Sequence, residues 1–255
     1  VSEPLHLIHM SVDARKLYAF ARRSKALARE NDHGYAMHAL LTALFDHGAP
    51  PDARVAPKPF HVVLGAASKV DVLGYARLDR GELVRRAESF ADPAAWGVCD
   101  LDALASKPMP TRFERGTRLR FEVRACPVRR IARRGPMQRE RAEVDAFLAR
   151  AWGVGPDVVL SREAVYREWL AEDLSKHDAA RLVDCTVEQF HIAGLRRRDH
   201  GEERRAHRAE RPDVRFRGAL EVGDPDQFLA RLARGVGRHR AFGFGMLLLN
   251  MEDEP

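Results

Sequence analysis

Segments whose apolar residues recur every second position and segments where they recur every third or fourth follow one another along this chain in an order that few folds can accommodate. Residues 5–10, LHLIHM, read as a strand, and Ser11 or Asp13 can cap the helix after it. Over 12–28, Leu17, Phe20, Ala21 and Ser24 recur at helical spacing, with Arg22, Arg23 and Lys25 on the other side. Residues 31–34 interrupt that helix, and 35–45 restart one with Met37, Leu40, Leu41 and Leu44 as its apolar stripe, ended by Gly48, Pro50 and Pro51. Strands are expected over 60–64 and 70–77, and a helix over 81–90. Another strand is expected over 118–126, where Leu119, Phe121, Val123 and Ala125 alternate with Arg118, Arg120, Glu122 and Arg124. Strand, helix, strand, strand, helix, strand is the ferredoxin-like plan, two helices on one face of an antiparallel sheet.

A second α/β unit is expected after a basic segment containing Gly135-Pro136. Its predicted elements are a helix over 140–152, a helix or strand over 163–174, strands over 182–192 and 214–222, a helix over 226–234 and a last strand over 246–251. The expected class is therefore α+β, two ferredoxin-like domains in tandem: 1–127, a linker over 128–138, and 139–255.

The 255 residues contain no apolar run of membrane-spanning length and no basic-then-apolar leader, so a cytoplasmic protein is expected. Cys99, Cys126 and Cys185 are scattered singly, which predicts reduced thiols, at least two of them in the core, and no structural zinc. No cofactor is expected. Net charge is +6, from 43 basic and 37 acidic side chains, and Arg predominates over Lys, as suits a polyanionic partner. The excess is concentrated. Residues 112–139 hold ten arginines against Glu114 and Glu122, marking Arg124, Arg129, Arg130, Arg133 and Arg134 as candidate RNA contacts. A second concentration, Arg196, Arg197, Arg198, Arg204, Arg205, Arg208 and Arg211, is diluted by acids and fits a helix or hairpin beside an RNA stem, or equally a salt-bridged surface helix.

Residues 235–245, GVGRHRAFGFG, place four glycines and three potentially cationic side chains between a helix and a strand. Glycine lets backbone amides converge on an anion, and Arg238 or Arg240 can add charge, so the segment is a candidate phosphate grip unless it is only the turn closing the sheet. It is no nucleotide P-loop, since no Gly-Lys-Ser/Thr ending is present and a strand follows.

The run GVGRHRAFGFGMLLL closely resembles the C-terminal glycine-rich loop and final strand of the CasE branch of CRISPR repeat-processing endoribonucleases, in the repeat-associated mysterious protein (RAMP) superfamily. Two further stretches resemble that branch: YAMHALLTALF from Tyr35, with its Y-x-x-H pair, and FEVRACPVR from Phe121, a strand ending in an R-x-N-P-type turn with Cys126 in place of asparagine. A type I-E enzyme or its type IV counterpart is implied. The resemblance implies metal-independent cleavage of CRISPR repeat RNA beside a stem-loop by 2′-hydroxyl attack, retention of the product, and guide RNA and effector-complex subunits as partners. It also implies His38 as general acid or base and Tyr35, one helical turn earlier, as its partner. Arg23 and Arg240 are the candidates for stabilising charge on the pentacoordinate phosphorus. Arg22, Lys25, Gly235, Gly237, Arg238, His239, Gly243 and Gly245 join the candidate RNA contacts. Of Phe242 and Phe244, at least one is expected in the core. The alternatives are a non-cleaving RAMP-type subunit that holds guide RNA, or an unrelated basic RNA-binding protein.

Overall fold

The computed structural model describes residues 4–23, 33–64, 69–131, 143–155, 157–198 and 206–251, with the side chains of 64, 195–198, 206–209 and 251 outside that description. Among the described residues no helix is long and apolar enough to cross a membrane.

The first sheet is antiparallel and has the order β2-β3-β1-β4, from β1 (His6–Asp13), β2 (Phe60–Leu64), β3 (Lys69–Ala76) and β4 (Ala105–Pro108). Helices α1 (Ala14–Arg23), α2 (His33–Phe45) and α3 (Arg80–Phe90) cover one face. Period-two burial puts Ile8, Met10 and Val12 of β1 and Val70 and Val72 of β3 on that face, against Leu17 and Phe20 of α1, Leu40, Leu41 and Leu44 of α2, and Leu83 of α3. A capping box, Asp79 with Glu82, starts α3.

The second sheet has the order β10-β5-β9-β8, from β5 (Arg118–Ala125), β8 (Ala180–Arg198), β9 (Ala206–Val222) and β10 (Leu248–Met251). A two-stranded ribbon, β6 (Val128–Arg130) with β7 (Glu143–Asp145), leads into α4 (Ala146–Ala151) and α5 (Arg162–Leu174). Ser161 caps α5; Asp224, followed by Pro225, caps α6 (Pro225–Arg234). Phe121 and Val123 of β5 and Phe216 and Leu220 of β9 pack against Tyr166, Trp169 and Leu170 of α5 and Phe228 and Leu232 of α6. Each sheet has the strand order of a ferredoxin-like unit, so the predicted class, two such units in tandem, is the one found. Tyr75 joins them: it is buried in the second core and its hydroxyl donates to the Leu247 carbonyl at 2.7 Å. All three cysteine thiols are buried.

One assignment from the sequence is corrected. The alternating strand over 118–125 does not close the first sheet but lies at the centre of the second, between β9 and β10. The strand that closes the first sheet is β4, whose four residues are mostly exposed and so carry no alternation. The basic segment after Pro127 begins as a strand, β6. Residues 143–145, expected in a helix, form its partner β7, and α4 begins only at Ala146.

Strands β8 and β9 pair from Ala180 with Val222 out to Arg198 with Ala206, whereas β5 covers β9 only from Val214 to Glu221. From Asp213 outward the hairpin is therefore free of β5, and the eight residues 206–213 of β9 extend about 25 Å. Of the Arg-rich stretch expected as helix or hairpin, residues 196–198 and 206–211 lie on the two strands of this hairpin.

Candidate active site

On α2 the apolar stripe, Met37, Leu40, Leu41 and Leu44, is buried in the first core, which turns the half-buried Tyr35 and His38 toward the glycine-rich segment. Contact is through Phe242, in a 3-10 turn over Arg240–Phe242: its ring stacks on Tyr35 (centroids 5.7 Å, planes 17° apart) and meets His38 edge-on (5.2 Å, 81°). Phe244, by contrast, is fully buried. Histidine helix and glycine-rich loop, over two hundred residues apart in sequence, thus form one site. Gly243 ends that turn in the left-handed region (φ +80), and a Cβ there would press on the Phe60 ring at 3.3 Å.

Sequence reasoning missed two cations beside His38. The buried Asp46 carboxylate accepts the Val55 and Ala56 amides at 2.7 and 3.0 Å, folding the proline-rich loop after α2 back over the helix. That fold sets Arg54 and Lys58 around a cavity of about 590 Å³ that His38 and Ala241 also line. Burial, then Lys58 and Arg54, push the His38 pKa down to about 4, with Asp46 opposing them. Desolvation, then Arg240 and Arg54, lower that of Lys58. Neither cation has an ion-pair partner among the described residues. They sit in a loop without periodicity, where composition points only to a turn, so nothing in the sequence connects them to His38.

A second cavity, of about 580 Å³, adjoins the first at Lys58 and Ala241 and is lined by Arg130, Lys176, Arg231, Arg234, Arg238 and Arg240, among others. Arg130 and Arg234 are exposed and carry no ion pair among the described residues. Arg240 donates to the Arg234 carbonyl at 2.6 Å. Arg129 is paired with Glu172 at 2.7 Å on the surface.

Several predicted contacts stand differently. The amides of Gly235, Gly237 and Gly245 donate to the Arg231 carbonyl, the Asp173 carboxylate and the Arg124 carbonyl, at 2.7, 2.9 and 2.7 Å, so they form no anion nest. Their glycines answer to packing: a Cβ on Gly245 (φ +79) would lie 2.2 Å from the Val236 oxygen, and one on Gly237 (φ +65) 2.7 Å from the Trp169 ring. The His239 side chain is 1% exposed and meets Glu143 at 3.1 Å, and Arg238 is paired with the same carboxylate. Arg124, expected at the RNA, is held by Asp213. Arg22 and Arg23 are exposed at the end of α1, and neither lines the His38 cavity. Arg196, Arg197, Arg198 and Arg208 lie on the hairpin strands, their side chains outside the description. Lys25, Arg133, Arg134, Arg204 and Arg205 lie outside the described residues. Among the described residues no group of three or more His, Cys, Asp or Glu side chains could hold a metal ion.

A family model described as "CRISPR associated protein" matches residues 5–250. The CRISPR-associated endoribonuclease Cse3 of Thermus thermophilus is 33% identical over 161 residues, which cover 60% of this chain and 66% of that protein. The aligned segment spans about two thirds of the length of that curated relative. Among solved structures, Thermus thermophilus Cse3 bound to an RNA representing a pre-cleavage complex aligns with a TM-score of 0.60 at 22% identity, covering 97% of this chain and 99% of that one. Cas6e from Escherichia coli str. K-12 aligns at 0.52 and 20% identity, covering 95% and 98%. These structural likenesses speak for the fold, and the match over nearly the whole chain for descent: this chain belongs to the CRISPR-associated protein family.

Proposed function

We propose that this chain is an endoribonuclease that cuts CRISPR repeat RNA beside a stem-loop, keeps the cut RNA bound as guide, and works in the cytoplasm with other subunits of an effector complex. The observation that supports it best is the His38 imidazole packed edge-on against Phe242 of the glycine-rich loop, on a cavity lined by Arg54 and Lys58, which have no ion pair among the described residues. With a pKa near 4, His38 is deprotonated at neutral pH and takes the proton of the attacking 2′-hydroxyl. The new bond from O2′ to phosphorus forms as the bond to the 5′-oxygen breaks, giving a 2′,3′-cyclic phosphate and a 5′-hydroxyl. Lys58, its pKa lowered, stands on the same cavity and supplies the proton to the departing oxygen. Arg54 and Arg240 offset the charge gathering on phosphorus, and Tyr35 orients the phosphate. Arg130 and Arg234, in the adjoining groove, meet the backbone of the same RNA.

The test is incubation of the purified protein with repeat RNA carrying ribose or 2′-deoxyribose at the cut site. Cleavage only with ribose, abolished by His38→Ala with RNA binding retained, is expected. Cleavage of the deoxy substrate would overturn the mechanism, and tight binding without cleavage by the wild type would make the chain a guide-holding subunit.

A further inference from the structure

Arg124 leaves the open face of the second sheet at a junction of three parts of the molecule. Its guanidinium is forked onto Asp213, Nε to Oδ1 at 2.9 Å and Nη2 to Oδ2 at 2.5 Å, and that carboxylate is 3% exposed. Asp213 is where β9 leaves the sheet, and its strand partner His191, on β8, also reaches it at 3.0 Å. Asp213 is thus the root of the hairpin. On its other side Arg124 holds two residues of the glycine-rich segment, Gly245 and Phe244, and passes beside Gly243. Its carbonyl accepts the Gly245 amide at 2.7 Å, its guanidinium lies over the Phe244 ring at 4.4 Å, and Nη1 is 3.7 Å from where a Gly243 Cβ would be. The next residue back, Phe242, is the one that touches Tyr35 and His38.

We infer that Arg124 is a positioning residue: it locks the glycine-rich loop to the root of the β8–β9 hairpin, so that the loop presents Phe242 to His38 in one place. This rests on the proposed ribonuclease activity for its kinetic consequence, though not for its structural one. A second strut runs parallel, since Glu143 holds Arg238 and His239 of the loop and approaches Arg211 of the hairpin at 3.6 Å. Arg211 and Asp213 are two apart on one strand and share a face. Opposite charges at the hairpin root are therefore each answered by a side chain that also grips the loop. A planar fork bonded to a carboxylate and stacked on a ring fixes direction as well as distance, which an ammonium does not.

The test compares Arg124→Met, Arg124→Lys and the double variant Arg124→Met/Asp213→Asn with the wild type. The double variant leaves no buried carboxylate unpaired and serves if the single one fails to fold. Two quantities are read: the single-turnover rate and dissociation constant for repeat RNA, and the titration of the His38 ring by NMR in the free protein. Expected are a loss of about 10²-fold in rate with affinity changed less than about threefold, partial recovery in Arg124→Lys, and a His38 midpoint moved upward from about 4 as the ring loses its Phe242 cover. Equal losses of rate and affinity would make Arg124 an RNA contact and overturn the inference, as would an unmoved His38 midpoint. If the wild type cleaves nothing, the proposed function fails while the His38 titration still decides this inference.

Discussion

Cleavage should persist well below neutral pH, because the imidazole that accepts the proton is already neutral there. A His38 pKa of about 4 means that about one molecule in a thousand carries the proton at pH 7. Using His38 as an acid from the free protein would thus cost about 4 kcal/mol. As a base it is available at every pH above its midpoint, so the acid side of the kcat/KM profile, which reports the free protein, should be flat from neutrality down to about pH 5 and fall only as pH 4 nears. Replacing Lys58 by Met removes one of the two cations that depress the midpoint. It should rise but stay below about 6.5, since burial is the larger cause. The assay is the initial cleavage rate at subsaturating repeat RNA, from pH 4 to 9 at constant ionic strength. An acid limb with its midpoint at 6 or above, absent from other steps such as RNA binding, would refute the reasoning.

His61, 4% exposed, has its pKa pushed down to about 4, by burial first and then by Arg124 and Arg215. The unfolded chain takes up that proton near pH 6.5 and the folded chain only near 4, so stability should decline as pH falls through this window, by about 3 kcal/mol in all; urea melts of wild type and His61→Phe should show the decline shallower in the variant. Gly245→Ala drives a Cβ against the Val236 carbonyl at positive φ and should cost at least about 2 kcal/mol, lowering Tm by about 4–8 °C in a thermal melt. Tyr75→Phe leaves the buried Leu247 carbonyl without its donor and should cost about 1–3 kcal/mol in urea unfolding. Cleavage by 2′-hydroxyl attack needs no metal, so rates in EDTA and in magnesium should agree, and strict dependence on a divalent ion would count against the mechanism.

Much of this molecule was legible in one dimension. Alternation in 118–125 marks a strand with one dry face whatever surrounds it, and the stripe on α2 obliges Tyr35 and His38 to share the other side. Both follow from backbone periodicity, which every residue carries locally. Membership of a sheet is different. Strand β4 is too short and exposed to announce itself, and β5 pairs with strands that lie roughly ninety and one hundred and thirty residues later, so periodicity could name the strand without naming its neighbours. Charge was legible as composition and not as function. An arginine in the sequence counts as an RNA contact or a brace only once its partner is known, and it took the fold to set Arg124 on Asp213 and Arg238 on Glu143, while Arg54, Lys58 and Arg234 have no ion pair among the described residues. The pKa of His38 was decided the same way: burial and field depend on what is near in space, and only the folded chain brings a proline-rich loop and a distant glycine-rich turn around one imidazole.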